Sequence, residues 1–261
     1  MIRALYTAAT GMNAQETKMN VSANNLANAS TTGFKRARTE FEDLLAERIQ
    51  SADAPDGQGG TRATPLEVGL GVRAAATTRS FAQGDMLNTG NPLDITIQGN
   101  GFFKVQRPNG LLAYTRAGNL SLDATGRLVT QNGMVLDPSI TVPQDAQQIV
   151  VRQDGMVTAQ VPGQTDVVEL GTIELAMFQN AGGLHGLGGN LYESTPASGL
   201  PVLARPGEQG AGTLAQGFLE GANVSTVEEM IGLITTQRAY EMNSKVISTA
   251  DQMLSRLTQI R

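Results

Sequence analysis

The sequence predicts an α+β, multi-domain chain: N- and C-terminal helices pairing as a coiled-coil inner domain, with a central antiparallel all-β domain and extended linkers between them. Three observations carry this reading. Apolar residues recur every seven positions near both termini. Between them the period drops to two, with Asn-Gly and Asp-Gly turns at short intervals. Two Gly- and Pro-rich stretches flank the β-patterned middle and are too polar to build a core of their own.

At the N-terminus, Leu5, Met12, Met19 and Leu26 lie seven apart, with Ile2, Ala9 and Ala23 flanking them three residues earlier and Glu16 as the one break. No proline precedes Pro55. A helix from Ile2 to Asn28 would span roughly 39 Å, with a narrow apolar seam. Gly11 costs such a helix about 1 kcal/mol relative to Ala. The helix should stop near "SANNLANASTTGFKR", residues 22 to 36, where three asparagines precede Gly33, which can take up positive φ. Asn24, Asn25 and Asn28 can hydrogen-bond backbone groups at that exit or on a neighbouring subunit, and Phe34 is expected to anchor the departing chain. Lys35, Arg36 and Arg38 are balanced at once by Glu40, Glu42 and Asp43 and read as a solvated face.

The stretch 50 to 65, "QSADAPDGQGGTRATP", is Gly, Pro and polar, a flexible or hairpin-like excursion. From about 80 to 190 short alternating runs are separated by turns at Asn109-Gly110, Ala124-Thr-Gly126, Asn132-Gly133 and Asp154-Gly155, a meander signature. "VELGTIELAMF", 168 to 178, reads as another strand pair. "STPASGLPVLARPGEQGAG", 194 to 212, reads as extended linker.

The C-terminal helix opens on a capping box, Ser225 to Glu228, with Glu229 adding favourable charge at its start and Arg256 and Arg261 near its end. Leu233, Tyr240, Ile247 and Leu254 are again seven apart, and Val246, Ala250, Met253, Leu257 and Ile260 widen the stripe. From Ser225 to Ile260 this helix would run roughly 54 Å, too long for an ordinary compact domain. The expected division is therefore 1–45 plus 217–261 as the helical inner domain, 46–79 plus 191–216 as an extended or hairpin linker domain, and 80–190 as the β-rich outer domain.

Composition narrows the chemistry. The 261 residues carry a formal charge of −5, 40% are hydrophobic and 4% aromatic. No basic stripe is available to neutralise phosphates, which argues against nucleic acid as a partner. Absence of cysteine removes disulfides, thiolate nucleophiles and Cys-based zinc sites. No apolar run approaches a membrane span, and the N-terminus lacks the apolar core and cleavage site of a signal peptide, so general secretion is not expected. The one histidine, His185, sits in "GGLHGLGGN" with no triad partners in view, and no amphipathic helix follows to make that run a phosphate loop. "DATGR", 123 to 127, lacks the oxygen ligands of a calcium loop and reads as a hairpin turn. Asp94 is expected to accept backbone hydrogen bonds in a tight loop. An enzyme is not expected; an enzymatic role would rest on Asp94, Glu169 or His185.

Three long, ordered motifs carry a resemblance. "SANNLANASTTGFKR" is similar to the signature of bacterial flagellar rod and hook proteins, the axial components of the basal body. "SFAQGDMLNTGNPLDITIQGNGFFKV" resembles the family's central motif at Gln83-Gly84, Thr89-Gly90-Asn91, Leu93-Asp94 and Gly99 to Phe103. "LEGANVSTVEEMIGLITTQRAYEMNSKVISTADQML" resembles its C-terminal motif, including Gln237-Arg238-Ala239-Tyr240-Glu241, Asn243 and Lys245. Length and the run "GFKRARTEFEDLL" are similar to the distal rod group, the alternative being a proximal rod subunit or hook-type axial protein.

That resemblance implies a non-enzymatic subunit of a rigid helical tube, a drive shaft that transmits torque from motor to hook and surrounds the export channel. It implies residence in the distal rod of the basal body, spanning the periplasm towards the outer membrane, after flagellar type III export without a cleaved signal peptide. The implied partners are further copies of itself, proximal rod proteins, the hook protein, P and L ring proteins, the export apparatus, and the rod cap or muramidase during assembly. No cofactor, metal or small-molecule substrate is implied. The residues expected to make subunit contacts are the two heptads, Asn24, Asn25, Asn28, Gly33, Phe34, Gln237, Arg238 and Asn243.

Overall fold

A computed structural model describes residues 2–50, 64–162 and 167–259. The chain forms two compact units, one from Met1–Ala27, Ala37–Arg79 and Ser225–Arg261, the other from Asn28–Arg36 and Ser80–Val224.

The first unit is built on two helices, α1 (Ile2–Ala27) and α2 (Thr226–Gln259). Ser225 starts α2 as its N-cap, its Oγ accepting from the Glu228 N–H at 3.4 Å, and Glu228 and Glu229 place acidic charge in the first turn. The helices pack on each other. The Asn25 amide reaches Glu229 near the end of α1 and the start of α2, while Gly11 faces Asn243. These pairs are fourteen residues apart on both helices, so the packing is antiparallel and holds one register over about four turns. Beside α1 runs an antiparallel ladder of Ala37–Asp43 with Val72–Arg79. A second, short ladder joins Glu47–Gln50 to Leu66–Val68. The middle of the glycine-rich excursion, 51–63, lies outside the described residues.

The second unit is almost entirely β. Phe102–Gln106 is the hub of its main sheet, pairing with Leu112–Thr115 on one side and, on the other, with Val135–Leu136 and Leu175–Met177 along successive parts of its length. Leu120–Leu122 and Leu128–Thr130 extend the sheet beyond Val135–Leu136, and Leu191–Glu193 with His185–Gly188 extends the other side. A three-stranded sheet of Gln148–Val151, Met156–Gln160 and Val168–Thr172 packs through Val151, Val157 and Ile173 into the same core as Ile97, Phe103, Val105 and Leu214. Each hairpin turn named from sequence closes such a ladder. At the last of them Gly155 has φ +87°, and a Cβ there would lie 2.6 Å from the Ile173 carbonyl, so only glycine fits. A smaller aromatic cluster joins Phe81, Phe102, Phe178, Tyr114 and Tyr192 edge to face, with centroids 4.8–6.1 Å apart.

Three expectations change here. The strands Val168–Thr172 and Leu175–Met177 are adjacent in sequence but do not pair with each other; they belong to different sheets. The stretch 194–212 is not an extended linker. Val202–Ala204 pairs with Leu175–Met177, Ala204 and Ala211 enter the core, and Ser198 is buried with its hydroxyl bonded to Thr195 and Gly199 carbonyls. Prolines and glycines there make corners between short strands rather than slack. The third concerns Lys35.

Candidate functional site

Two places gather the residues that the sequence singles out. The first is the seam of the helix pair. On α2 the deepest residues are Glu229, Thr236 and Ala250, with half-buried Asn243 completing a row seven apart. Leu233, Tyr240, Ile247 and Leu254 form a second row four residues further on; three are half-buried and Tyr240 is exposed. On α1 the buried positions are Ala8, Ala14, Ser22 and Asn25, while Leu5, Met12, Met19 and Leu26 are half-buried. The inner seam is thus small or polar. Gly11 lets the helices come close, since a Cβ there would meet the Asn243 amide at 2.9 Å. Large apolar side chains are instead presented outward: Val227, Met230, Ile231, Ile234, Met242, Val246 and Met253 on α2 and Tyr6 on α1 are all exposed. Gln237 and Arg238 are exposed as well, and Gln237 donates to Glu241 one turn on.

Asn25 ends this seam. Its Nδ2 donates to the Ala37 carbonyl at 2.8 Å and its Oδ1 accepts from the Ala37 N–H at 3.0 Å, so the side chain stands in for a strand partner. The same Nδ2 lies 3.3 Å from Glu229 Oε1. One buried amide therefore fixes the first strand residue and the first turn of α2. Asn24 is exposed, and Asn28 accepts from the Thr31 hydroxyl in the turn after α1.

The second place is a buried charge cluster in the β unit. Lys35, expected in a solvated basic face, is buried: its Nζ donates to Glu220 Oε1 at 2.6 Å and to the Ala82 carbonyl at 2.7 Å. Glu220 Oε1 also accepts from the Gly84 N–H, and Arg116 Nε lies 3.1 Å from its other oxygen. Arg116 Nη1 donates to the carbonyls of Gly99 and Gly101. Burial pushes Lys35 and Arg116 below their ordinary pKa ranges, opposed by the bond and charge of Glu220. Around this clasp the segment 28–36 is bound at several points. The Gly33 N–H donates to Glu220 O, the Arg36 N–H to Asn223 Oδ1, and Asn190 Nδ2 to Thr32 O. Gly33, at φ +70°, lies six residues past the last helical position and serves close approach rather than a helix stop; a Cβ would sit 2.7 Å from the Ala117 nitrogen. Phe34 is half-buried and outside both apolar clusters; its neighbour Lys35 is the residue that anchors. Spacing could not announce Glu220 and Arg116, because each is an isolated charge in a β-patterned run.

The residues considered for catalysis are dispersed. Asp94 accepts from Thr89 Oγ1 at 2.6 Å and Asn91 Nδ2 at 3.1 Å, so both carboxylate oxygens staple its own loop. His185 is exposed on an edge strand rather than in a glycine loop, and Glu169 is exposed on another sheet. Among the described residues no group of three or more His, Cys, Asp or Glu side chains could hold a metal. The Asp123 carboxylate is engaged by Thr125 and Arg127 of its own turn.

Three family models match: "Flagella basal body rod protein" over residues 5–35, "Flagellar hook protein FlgE/F/G D1 domain" over 96–159, and "Flagellar basal body rod FlgEFG protein C-terminal" over 215–260. The flagellar basal-body rod protein FlgG of Caulobacter vibrioides is 47% identical over 261 residues, with all of both chains covered. That of Buchnera aphidicola from Acyrthosiphon pisum is 46% identical over 260 residues, again with full coverage. The Agrobacterium fabrum protein of the same name is 46% identical, covering 97% of each chain. The chain belongs to the flagellar basal-body rod protein FlgG family. It is a structural subunit of the distal rod of the bacterial flagellar basal body, not an enzyme. In this rod protein the clasp draws one residue from each matched region, Lys35 from the first, Arg116 from the second and Glu220 from the third.

Proposed function

We propose that this rod subunit polymerises helically with copies of itself into a straight, rigid tube that transmits torque from motor to hook, its terminal helices forming a coiled-coil wall around the export channel. One observation carries this reading: the seam between α1 and α2 is filled by small and polar residues, and the large apolar side chains of α2 point away from it. Exposed apolar area of this extent marks a surface meant to be covered. In the proposed polymer Met230, Ile231, Ile234 and Met242 supply that contact, together with the half-buried heptad residues of both helices and the exposed Gln237, Arg238 and Tyr240.

In this reading the helix-bearing unit acts as the inner domain, 46–79 as part of the connection, and 80–190 as the outer domain together with 191–216, whose strands and core residues belong to it. The tube joins proximal rod proteins at one end and the hook protein at the other, turns within the P and L rings, and grows under a rod cap with muramidase activity. Subunits reach it through the flagellar type III export apparatus without a cleaved signal. Negative-stain electron microscopy of the full chain at rising concentration tests the core of the proposal. Straight tubes are expected; isolated particles at every concentration would overturn it. Deleting 51–63 tests whether the 46–68 segment sets straightness, since straight polymers from the deleted chain would remove it from that role.

A further inference from the structure

The clasp has an excess of charge. Lys35 and Arg116 are two cations sharing one carboxylate, and among the described residues Glu220 is the only acid within 4.0 Å of either. With both cations protonated, such a group carries one positive charge in excess of its acid, which low-dielectric surroundings make costly. The geometry shows where a second negative charge would fit. Arg116, 3% exposed, uses Nη1 for two carbonyls and turns Nε to Glu220, leaving Nη2 without a hydrogen bond within the described chain. The same side chain lines a cavity of about 240 Å³. Phe81, Phe102 and Phe178 line it too, together with Asn100 and Gln179. The guanidinium carbon stands 5.8 Å from the Phe102 ring centroid.

We propose that this cavity is a carboxylate-binding site, taking an acid group on an apolar or aromatic stem so that the acid pairs with Arg116 and the stem lies against the phenylalanine edges. The ring edges carry partial positive charge and favour an anion between them; the charge of the guanidinium makes its Nη2 a stronger donor to a carboxylate than to a neutral amide. The acid can come from a free small molecule or from an Asp or Glu side chain of a second copy of this chain, which is itself acidic overall at −5.

The test uses the full chain with its seven phenylalanines carbon-13 labelled, at a dilution where copies do not associate. Benzoate is titrated against benzamide, its neutral isostere. Benzoate is expected to shift the Phe81, Phe102 and Phe178 ring signals saturably, and benzamide to bind at least about tenfold more weakly. Phe178→Ala, which leaves the charge cluster intact, should weaken benzoate about fivefold while the remaining ring signals keep their folded positions. Equal binding of the two probes, or pocket signals unmoved by benzoate, would overturn the proposal without touching the polymer reading. A second arm assigns the source. If raising the protein concentration alone moves the same signals and benzoate reverses the shift, the acid belongs to a second copy; if they stay put while benzoate still binds, it is a free carboxylate.

Discussion

Glu220 Oε1 lies 2.6 Å from Lys35 Nζ, and neither side chain reaches solvent. Because Arg116 shares the same carboxylate, the three charges are unequal in what their removal leaves behind. Glu220→Gln strands two buried cations and is expected to cost about 3–5 kcal/mol. Lys35→Met leaves a balanced Arg116–Glu220 pair and should cost less. Urea denaturation of the two variants checks the order, and a larger loss from Lys35→Met would contradict it.

Asn25→Ala removes both bonds to the Ala37 backbone and the contact with Glu229, leaving polar groups unmatched. A loss of about 2–3 kcal/mol is expected. Asn25→Asp should be worse at neutral pH, since it sets a second carboxylate beside Glu229. Hydrogen exchange at the Ala37 amide reports the change directly: it should quicken in both variants.

Gly33→Ala forces a side chain into a left-handed position pressed on the Ala117 backbone. The expected cost is about 2–4 kcal/mol, from conformation and overlap together. A melting temperature equal to that of the unaltered chain would show that the approach is looser than 2.7 Å.

On the outer face of α2 the expectation is the opposite. Ile231→Glu and Met242→Glu occupy exposed positions, so each should leave monomer stability within about 0.5 kcal/mol. Both should suppress polymerisation. Sedimentation of assembled material beside a thermal melt of the monomer separates the two effects.

Hydrogen bonds from Thr125 and Arg127 hold the Asp123 carboxyl well below its usual range. A depressed acid contributes stability that is present above its unfolded pKa of 3.8 and is lost as pH falls further towards the folded value. The melting-temperature gap between the unaltered chain and Asp123→Asn should therefore hold from neutral pH down to about 4 and narrow below it. A gap that stayed constant to pH 2 would dissociate the turn from this carboxylate.

What could be read from sequence follows the range of the forces involved. Helices α1 and α2 were legible because periodicity is local, and the hairpin turns because Asn-Gly and Asp-Gly chemistry acts within four residues. Pairing of Leu175–Met177 with Phe102–Gln106 and Val202–Ala204 was not, since nothing local distinguishes it from a hairpin with Val168–Thr172. Periodicity also favours large apolar residues. It found the row of Leu233 and Ile247 but passed over Glu229, Thr236 and Asn243, whose heptad is equally regular and lies deeper or level. Lys35 stood in a basic cluster typical of a surface, and its burial depends on a carboxylate 185 residues away.

That separation sets an order of events. Segment 28–36 finds its partners at Asn190, Glu220 and Asn223, all far downstream, so a chain appearing N-terminus first cannot seat it until residue 220 has arrived. Closing so long a loop carries a large one-time entropic cost and makes the contact a late one. Until then Lys35 has no carboxylate to bury against, and fragments that stop short of Glu220 lack the means to finish the β unit. The fold is completed from its two ends together.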